Sequence, residues 1–325
     1  PSRLVKRQAY FITGLLLSGA LFFIFLFSIT ISSPIEKLVY LTKRVARGDF
    51  NFRARHHIKT ADEVGDLARS FDSMIEGLVE RDKVKSLFGK FHGTSIAEDL
   101  LKKDIGVGGT NKEVTVFFSD IRGFTAFSEG RTPEEVVLML NEYFAIMVKT
   151  ITQHKGIVDK FIGDAIMAVW GAPKATPEDA HNAVQACLEM RKNLNTLNEK
   201  RIARNQPPIK IGMGLHSGNA ISGTIGSEER MEYTVIGDTV NMASRIESST
   251  KAFGTDLLIS EETMKKVNGN FKVIEAGSAE VKGKTEALKL FKVHGYKDSA
   301  GNFIEVVTPY SEYTPEKADK VKIAA

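Results

Sequence analysis

The chain has 325 residues, of which 42% are hydrophobic and 26% are charged, and its formal net charge is +4. This length allows two or three domains with well-formed cores, and the composition is ordinary for such a protein. The single cysteine, Cys187, excludes an internal disulfide and fits a reducing cytosol. We expect it to be a small core residue.

An uncharged segment lies near the start of the chain. Residues 10–31 form a 22-residue stretch rich in Leu, Phe and Ile. As a helix it would be ~33 Å long, which is enough to cross the hydrocarbon layer of a membrane. A signal peptide is the alternative, but the apolar run is too long and the chain begins at Pro1 rather than at a methionine. We therefore assign residues 1–31 to a juxtamembrane and transmembrane helix, and we expect preceding residues with a possible upstream sensor domain.

Basic residues follow this span. Residues 32–60 contain seven Lys or Arg against two acidic residues. This surplus outweighs the basic residues before the span and favours a cytoplasmic position for everything that follows, in an inner-membrane protein. Basic segments also bind nucleic acid. Beside a span, however, anionic lipid headgroups are the better partner, so we predict contact with membrane lipid and no nucleic-acid partner.

Two short amphipathic helices are predicted after the span. Apolar side chains three and four residues apart form a seam in each, namely Ile35, Leu38, Thr42 and Val45, then Val64, Leu67, Phe71, Met74 and Leu78. A connector with GDF at 48–50 and the sequence DEVGDL at 62–67 separate them. Residues 32–80 resemble a HAMP signalling module, which implies a parallel helical bundle of four helices in a dimer. A plain helical linker is the alternative. We assign residues 32–85 to this HAMP domain.

The heptad seam is interrupted after Leu78. Arg81 takes the next core position, and apolar spacing resumes at Val84 and Leu87. Such a break is where a coiled coil can shift between registers. We therefore hypothesise a signal relay at about 78–91, and we assign residues 86–112 to a coiled-coil transducer linker.

Two aspartates give the main chemical signal of the remaining chain. Asp120 follows the apolar run Val114–Phe118, which predicts a buried strand. Asp164 belongs to a Gly-Asp pair between two apolar segments, which predicts a hairpin turn. Two carboxylates at neighbouring strand ends can hold a pair of hard cations that bind a polyphosphate. Two ordinary turn aspartates are the alternative.

Four sequence motifs in order resemble the core motifs of the class III nucleotidyl cyclases, and the similarity covers roughly residues 113–297. The motifs are SDIRGFTAFSE, DKFIGDAIMAVWG, GMGLHSGNAISGTIG and EYTVIGDTVNMASRIES. The resemblance implies an α+β fold, with a ferredoxin-like βαββαβ core, after the transmembrane helix and the HAMP-like bundle. It also implies a head-to-tail homodimer with ATP bound at the protomer interface, cyclised to cyclic AMP and pyrophosphate by attack of the ribose 3′-hydroxyl on the α-phosphate.

The same resemblance implies roles for individual residues. The matched metal positions are Asp120, Asp164 and the backbone carbonyl of Ile121, for two Mg²⁺ or Mn²⁺ ions in each site. Asn241 and Arg245 match the pair that orients the ribose and stabilises charge at the reacting phosphate, and their spacing puts them on one helix face. A solvated helix face is the alternative. The expected phosphate contacts are Gly123, Phe124, Thr125 and Lys284, although the VKGK pattern around Lys284 is also that of a surface lysine.

Base selection is predicted to depend on Lys160 and Thr234. Adenine offers an acceptor at N1 and a donor at N6, which a lysine and a hydroxyl oxygen complement. Guanine would call for a carboxylate in place of Lys160. Many relatives have an aspartate where this chain has Thr234, so it resembles the lysine–threonine subgroup of adenylate cyclases, some of which respond to bicarbonate. A guanylate cyclase and a catalytically inactive dimerising module are the competing functions. The inactive module would normally lack a metal carboxylate or the Asn/Arg pair, and neither is missing here.

Other elements are predicted from local patterns. Helices should begin near Thr132 and Thr176, the latter running to about Lys200. The remaining strand, helix and strand are expected at 257–259, 260–267 and 288–293. The glycine-rich segment 218–224 predicts a turn between strands, and the polar tail 298–325 predicts a loop or disorder. His216 is expected to be a packed or hydrogen-bonded strand residue.

Overall fold

A computed structural model of the chain describes residues 2–92, 108–227, 229–267, 269–280, 287–316 and 322–324. By their internal contacts the residues divide into a first unit that ends at Phe88 and a second that begins at Gly89. Residues 93–107, which cover most of the predicted linker, lie outside the described ranges.

The described part of the first unit is helical. Helix α1 is Ser2–Phe27, a π-helical turn covers Ser28–Ser32, α2 is Ser33–Val45, a short 3-10 turn covers Ala54–His56, and α3 is Glu63–His92. The helical stretch Val5–Val45 contains a segment long and apolar enough to cross a membrane, judged by length and composition. The predicted helix over 10–31 is therefore confirmed as helix, with a π-helical turn at its end.

The connector between α2 and α3 is fixed by polar contacts from α3. The buried carboxylate of Asp72 accepts hydrogen bonds from the backbone N–H groups of Ala54, at 2.5 Å, and Arg55, at 3.1 Å. Gly65 lies against the backbone carbonyl of Thr60, where a Cβ atom would clash. The glycine of DEVGDL thus permits a close approach of the connector to the first turn of α3.

The predicted seam coincides only in part with the face of α3 that the single chain buries, since Val64 and Phe71 pack against the core of this unit. Leu67 and Met74 are 55% and 48% exposed, whereas Ala68 and Ile75 are buried. The small core of this unit consists of Leu38, Leu41, Ala54, Ile58 and Ala68. A seam that pairs between two chains must stay accessible in each, so this exposure is compatible with pairing in a dimer.

The second unit alternates strands and helices. Its elements are β1 Gly108–Ile121, α4 Phe124–Glu129, α5 Pro133–Gln153, β2 Ile157–Ile162, β3 Ala165–Trp170, α6 Asp179–Ala203, β4 Ile211–Gly226, β5 Met231–Ile236, α7 Asp238–Phe253, β6 Leu257–Ser260, α8 Glu261–Lys266, β7 Phe271–Glu280, β8 Leu288–Lys297, β9 Phe303–Glu305 and β10 Lys322–Ala324. A capping box between Thr132 and Glu135 begins α5, as predicted.

The strands form one sheet in the order β10-β7-β8-β6-β4-β1-β3-β2, with β5 paired to β4 and β9 paired to β8. Strands β1 to β4 with α5 and α6 follow the βαββαβ sequence and lie in the spatial order β4-β1-β3-β2. The pairs within this group are antiparallel. The predicted ferredoxin-like core is confirmed.

Both faces of β1 are buried, which explains its unbroken apolar run. Phe117 contributes to the core that α5 and α6 cover, together with Tyr143 and Trp170. Val116 and Phe118 belong to the core on the other face, which includes Ala243 of α7. Cys187 is fully buried in the first of these cores, as expected.

Two local predictions are wrong. Residues 218–224 are not a turn but the middle of β4, which pairs with β1 and β5. The glycines are there because the backbones come close: a Cβ atom on Gly223 would clash with the carbonyl of Gly108. The tail is not all loop, since β9 pairs with β8 and Val306 is buried. Strand β7 was not predicted.

A buried ion pair fastens α6 to the far part of the sheet. The guanidinium of Arg191 donates to both carboxylate oxygens of Asp256, at 2.6 and 2.8 Å, and to the backbone carbonyls of Val293 and Val306. Both side chains are buried. Removing the arginine would leave a buried carboxylate without its counter-ion.

We predict that Arg191→Ala lowers the free energy of unfolding of the second unit by about 3–5 kcal/mol, because the Asp256 carboxylate stays buried and unpaired. Urea unfolding followed by tryptophan fluorescence measures this directly, since Trp170 is the only tryptophan and is fully buried in this unit. Arg204→Ala is the control. Arg204 pairs with Glu142 at the surface of the same chain segment, so the loss should be below about 1 kcal/mol. Equal losses in the two variants would contradict the prediction.

Candidate active site

The two predicted metal carboxylates lie side by side at one end of the sheet. Asp120 is the second-last residue of β1, and Asp164 is in the turn that joins β2 to β3. The backbone N–H of Ile121 donates to Asp164 Oδ2 at 3.1 Å, which ties the turn to the end of β1. Gly163 has a φ of +65°, a left-handed conformation that a tight hairpin turn requires and glycine adopts easily.

Both carboxylates are half-buried, and the electrostatics around them favour a bound cation. Burial raises the pKa of Asp120, and the nearby charge of Asp164 raises it further. Burial also raises the pKa of Asp164. Arg122 and Lys251 oppose the shift at Asp120. Two adjacent oxygen ligands of like charge fit hard divalent cations, which would relieve their repulsion.

The described residues contain no cluster of three or more His, Cys, Asp or Glu side chains that could hold a metal ion. Any cation held by Asp120 and Asp164 therefore needs further ligands from backbone carbonyls, water or phosphate oxygens. That requirement suits Mg²⁺ or Mn²⁺, which keep several such ligands when they bind a nucleotide.

An ion pair that was not predicted from the sequence links the end of β1 to α7. Arg122 Nη2 lies 3.2 Å from Glu247 Oε1 of α7, and the arginine also bonds to the hydroxyl of Thr250. Gly212 is the register partner of Asp120, and a Cβ atom there would clash with the Arg122 guanidinium. The only signal in the sequence was the position of Arg122 next to the aspartate motif.

The loop after β1 turns into a helix of six residues. Gly123 adopts a φ of +70° immediately before α4, which begins at Phe124. Thr125 is exposed in the first turn, and the N–H of Phe127 donates to the carbonyl of Gly123 at 3.0 Å. The three predicted phosphate-contact residues therefore form one tight, accessible turn next to Asp120.

Asn241 and Arg245 lie one turn apart on α7, as their spacing predicts. Asn241 is exposed and Arg245 is half-buried, whereas Met242, Ala243 and Ile246 form the buried face that packs on the sheet. The two polar side chains are thus kept off the packed face of the helix.

The two predicted base-selecting residues are brought together by a third residue. The hydroxyl of Thr234 donates to Asp159 Oδ2 at 2.8 Å, and Lys160 Nζ lies 3.7 Å from the same oxygen. Lys160 also donates to Glu232 at 2.9 Å. Sequence reasoning missed Asp159 and Glu232, because only the structure shows that β2 and β5 meet.

This meeting requires the sheet to curve. The strand partner of Lys160 on β3 pairs in turn with Phe118 of β1. The strand partner of Thr234 on β4 pairs in turn with Gly109 of β1. Phe118 and Gly109 are nine residues apart, so in a flat sheet Lys160 and Thr234 would be separated by ~30 Å along the strand direction. Since Asp159 bonds to Thr234 directly, the long β1–β4 ribbon bends until β5 reaches β2.

Two other predicted residues have different outcomes. Lys284 lies at 281–286, outside the described residues. His216 is nearly buried in β4, and its Nδ1 is 2.8 Å from the hydroxyl of Ser260, so the expectation of a hydrogen-bonded strand residue is confirmed.

Comparison with known families gives two matches. The family model described as the adenylate and guanylate cyclase catalytic domain matches residues 108–295, which is more than half of the chain. The HAMP domain model matches residues 26–80. Together the two matches cover the candidate site and the helical unit that precedes it.

Individual relatives are similar along the same region. An adenylate cyclase of Anabaena cylindrica is 34% identical over 282 residues, covering 81% of this chain and 54% of that protein. The crystal structure of the adenylyl cyclase CyaB from P. aeruginosa is 37% identical with a TM-score of 0.55, covering 57% of this chain and 96% of that one. The crystal structure of the guanylyl cyclase Cya2 is 35% identical with a TM-score of 0.57, covering 62% of this chain and 100% of that one. The chain spans between about a third and about a half of the first curated relatives it matches, 31% and 54%.

The buried ion pair beneath Asp120 predicts a pH effect on stability. Burial raises the pKa of Glu247 to about 7, above its ordinary value of 4.5, although Arg122 opposes the shift. As pH rises from about 4.5 to about 7, the unfolded chain loses this proton before the folded protein does, so stability falls across that window. A shift of this size corresponds to about 3 kcal/mol.

We therefore expect Glu247→Gln to remove most of this pH-dependent loss. Urea unfolding of metal-free protein at pH 5 and pH 7.5, again followed through Trp170, gives the two free energies. The difference between them should be smaller in the variant than in the parent protein by about 2 kcal/mol, since pH 5 and pH 7.5 span most of the titration. Glu129→Gln, at an exposed position, is the control and should keep the parental difference. The same difference in all three proteins would refute the prediction.

Proposed function

Because this chain belongs to the adenylate and guanylate cyclase catalytic-domain family and carries a HAMP domain, we propose that it is a membrane-anchored adenylate cyclase. It would convert ATP to 3′,5′-cyclic AMP and pyrophosphate. The observation that carries the proposal is the pairing of two sites on one protomer: the Asp120–Asp164 pair at the end of β1, and the Lys160–Thr234 pair joined through Asp159.

The metal site would consist of Asp120, Asp164 and the carbonyl of Ile121, holding two Mg²⁺ or Mn²⁺ ions. When bound, such ions supply the positive charge that activates the ribose 3′-hydroxyl and stabilises the leaving pyrophosphate. The chain itself contributes the placement of the carboxylates. Ile121 and the Gly163 turn hold Asp164, and the Arg122–Glu247 pair supports the end of β1.

The nucleotide would be held by residues on other elements. The turn formed by Gly123, Phe124 and Thr125 suits phosphate oxygens, with Lys284 as a further phosphate contact. On α7, Asn241 would orient the ribose, and Arg245 would stabilise the charge that develops at the α-phosphate as the new P–O bond forms. An arginine suits this role because it stays charged and offers several donors in one plane.

The base would bind next to Lys160 and Thr234. An ammonium donor and a hydroxyl acceptor complement N1 and N6 of adenine. This pairing favours ATP over GTP and distinguishes the proposal from a guanylate cyclase. The solved relatives include both kinds of enzyme at similar identity, so the base contacts carry the choice of substrate. The lysine–threonine pattern and a response to bicarbonate belong to the same proposal.

We infer a homodimer with active sites at the protomer interface. Two features of the single chain support it. Phe161 and Ile162 are exposed immediately before the turn that carries Asp164, so an apolar surface continues into the candidate site. Leu67 and Met74 of the predicted HAMP seam are also exposed. Under two-fold symmetry a second copy would present the same two surfaces, and pairing through them would create two equivalent sites.

The apolar helix would anchor the protein in the inner membrane, with lipid around α1 and the catalytic unit in the cytoplasm. The proposed division is residues 1–31 for the anchor, 32–85 for the HAMP domain, 86–112 for the linker, 113–297 for the catalytic domain and 298–325 for the tail. A signal from an upstream sensor would reach the catalytic unit through the relay at 78–91.

Purified full-length protein should form cyclic AMP from ATP faster than cyclic GMP from GTP, with Mg²⁺ or Mn²⁺ present. Asp120→Asn and Arg245→Ala should each lower kcat at least 100-fold, because each removes one half of every site. Co-expressed as a mixture, the two variants should recover activity, since a heterodimer has one site with both halves intact.

The control for rescue is a mixture of Asp120→Asn with Asp164→Asn, which damages the same half twice and should stay inactive. Affinity tags on the two chains verify that heterodimers form. Cyclic GMP as the main product would refute the base assignment. Failure of the first mixture in the presence of heterodimers would refute the shared site.

A one-residue insertion after Arg81 should change basal activity several-fold. Arg81 is an exposed residue within α3, and one extra residue rotates the helix that follows by ~100°. Insertion of a full heptad at the same position restores the rotational register, so it should keep activity within about twofold of the parent. Rates of cyclic AMP formation in membranes measure both variants, and equal activity in all three proteins would exclude a rotational relay.

A further inference from the structure

The proposed preference of Lys160 and Thr234 for adenine requires the Thr234 hydroxyl to act as an acceptor. A threonine hydroxyl carries one proton and two lone pairs. If it rotates freely, it can accept from the N6 amino group of adenine or donate to O6 of guanine. A lysine ammonium can likewise donate to N1 of adenine or to O6 of guanine. The direction of the hydroxyl proton therefore decides which base is accepted.

In this structure the hydroxyl proton of Thr234 is already used in a hydrogen bond to a carboxylate. Its hydroxyl donates to Asp159 Oδ2 at 2.8 Å, and the Asp159 side chain is only 5% exposed. Water therefore competes little for that carboxylate, and an ionised carboxylate is an acceptor only. With its proton held there, the Thr234 oxygen can only accept from a ligand.

The same carboxylate also acts on the lysine. Lys160 Nζ lies 3.7 Å from Asp159 Oδ2 and donates to Glu232 at 2.9 Å. Burial acts to lower the pKa of Lys160, but the hydrogen bond that Lys160 donates to Glu232 and the charge of Asp159 outweigh it and raise this pKa. An ammonium has three protons. With two directed at these carboxylates, a third remains for an acceptor such as N1 of adenine.

We propose that Asp159 is the positioning residue that sets the base preference, by holding Thr234 as an acceptor and Lys160 as a donor at the same time. Asp159 itself does not touch the base. The proposal rests on the proposed adenylate cyclase function and extends it to a residue that only the meeting of β2 and β5 reveals. Glu232 is less suited to this role, since its side chain is 47% exposed and it has no contact with Thr234 among the described hydrogen bonds.

The test compares three nucleotides in the full-length enzyme. Inosine triphosphate differs from ATP only at N1 and C6, where it presents N–H and a carbonyl oxygen. Purine riboside triphosphate keeps the N1 acceptor but has no group at C6. In Asp159→Asn, the amide can donate to the Thr234 oxygen, which frees the hydroxyl proton. The ratio of kcat/KM for ATP to that for inosine triphosphate should then fall at least tenfold, while kcat/KM for purine riboside triphosphate changes less than threefold.

Further variants show whether Asp159 acts through Thr234. Thr234→Val should lower the ATP-to-inosine ratio as much as Asp159→Asn does, and the double variant should lower it no further. Thr234→Ser and Asp159→Glu keep the donor and the acceptor-only carboxylate, so they should preserve most of the ratio. Glu229→Gln, an exposed acidic residue before β5, is the control and should match the parent ratio.

The outcomes separate this proposal from the function it rests on. If the parent enzyme prefers GTP, the adenylate cyclase proposal fails. If the parent prefers ATP and active Asp159→Asn keeps the parent ratio, the positioning role of Asp159 fails alone. Equal losses for all three nucleotides would indicate a general structural role and also overturn it. If Asp159→Asn does not fold, the Thr234 pair decides: a ratio unchanged in Thr234→Val would overturn the proposal.

Discussion

Two like charges held together at the end of β1 are the constraint on which the rest of the catalytic unit depends. Burial raises the pKa of both Asp120 and Asp164, and the charge of Asp164 raises the pKa of Asp120 further. A fold keeps such a pair only if its backbone is fixed by other interactions. Here the hairpin turn is bonded to the N–H of Ile121, and β1 is packed on both faces. The stability of the sheet thus offsets the electrostatic cost of keeping the two carboxylates together.

The curvature of the same sheet brings the two predicted base-selecting residues together. The β1–β4 ribbon is long enough to pass beyond β3, and its curvature carries β5 to the edge strand β2. Glycines at close backbone contacts, such as Gly223 against Gly108, permit this path. As a result Thr234 and Lys160, which are far apart in the chain, bind one buried carboxylate. The proposed base recognition would therefore depend on the curvature of the sheet and not on any single motif.

Local patterns were sufficient for much of this architecture. The apolar run before Asp120 predicts a strand, the Gly163–Asp164 pair predicts a turn, and the capping box at Thr132 predicts a helix start. All three predictions depend only on residues close together in the chain. What could not be predicted depends on contacts between distant segments. Residues 218–224 read as a turn because glycines have two uses, in turns and at close backbone approaches. Asp159 and Glu247 gave no signal, and Arg122 gave only its position next to the aspartate motif, because a lone charged residue in a sequence does not reveal its partner.

The exposed surfaces of the single chain connect these local features with regulation. Phe161 and Ile162 lie directly before the turn of Asp164, so any partner that covers them would also contact the loop that holds the carboxylate. Lys160 is in the same strand, two residues before Ile162, so the base-recognition group would move with that surface as well. In a dimer formed through β2, with each site shared between the protomers, small changes in the position of the second protomer would therefore act on the carboxylate of one proposed site and on the base-recognition group of the other. A relay that changes only how two copies meet could control the rate without altering the fold of either copy.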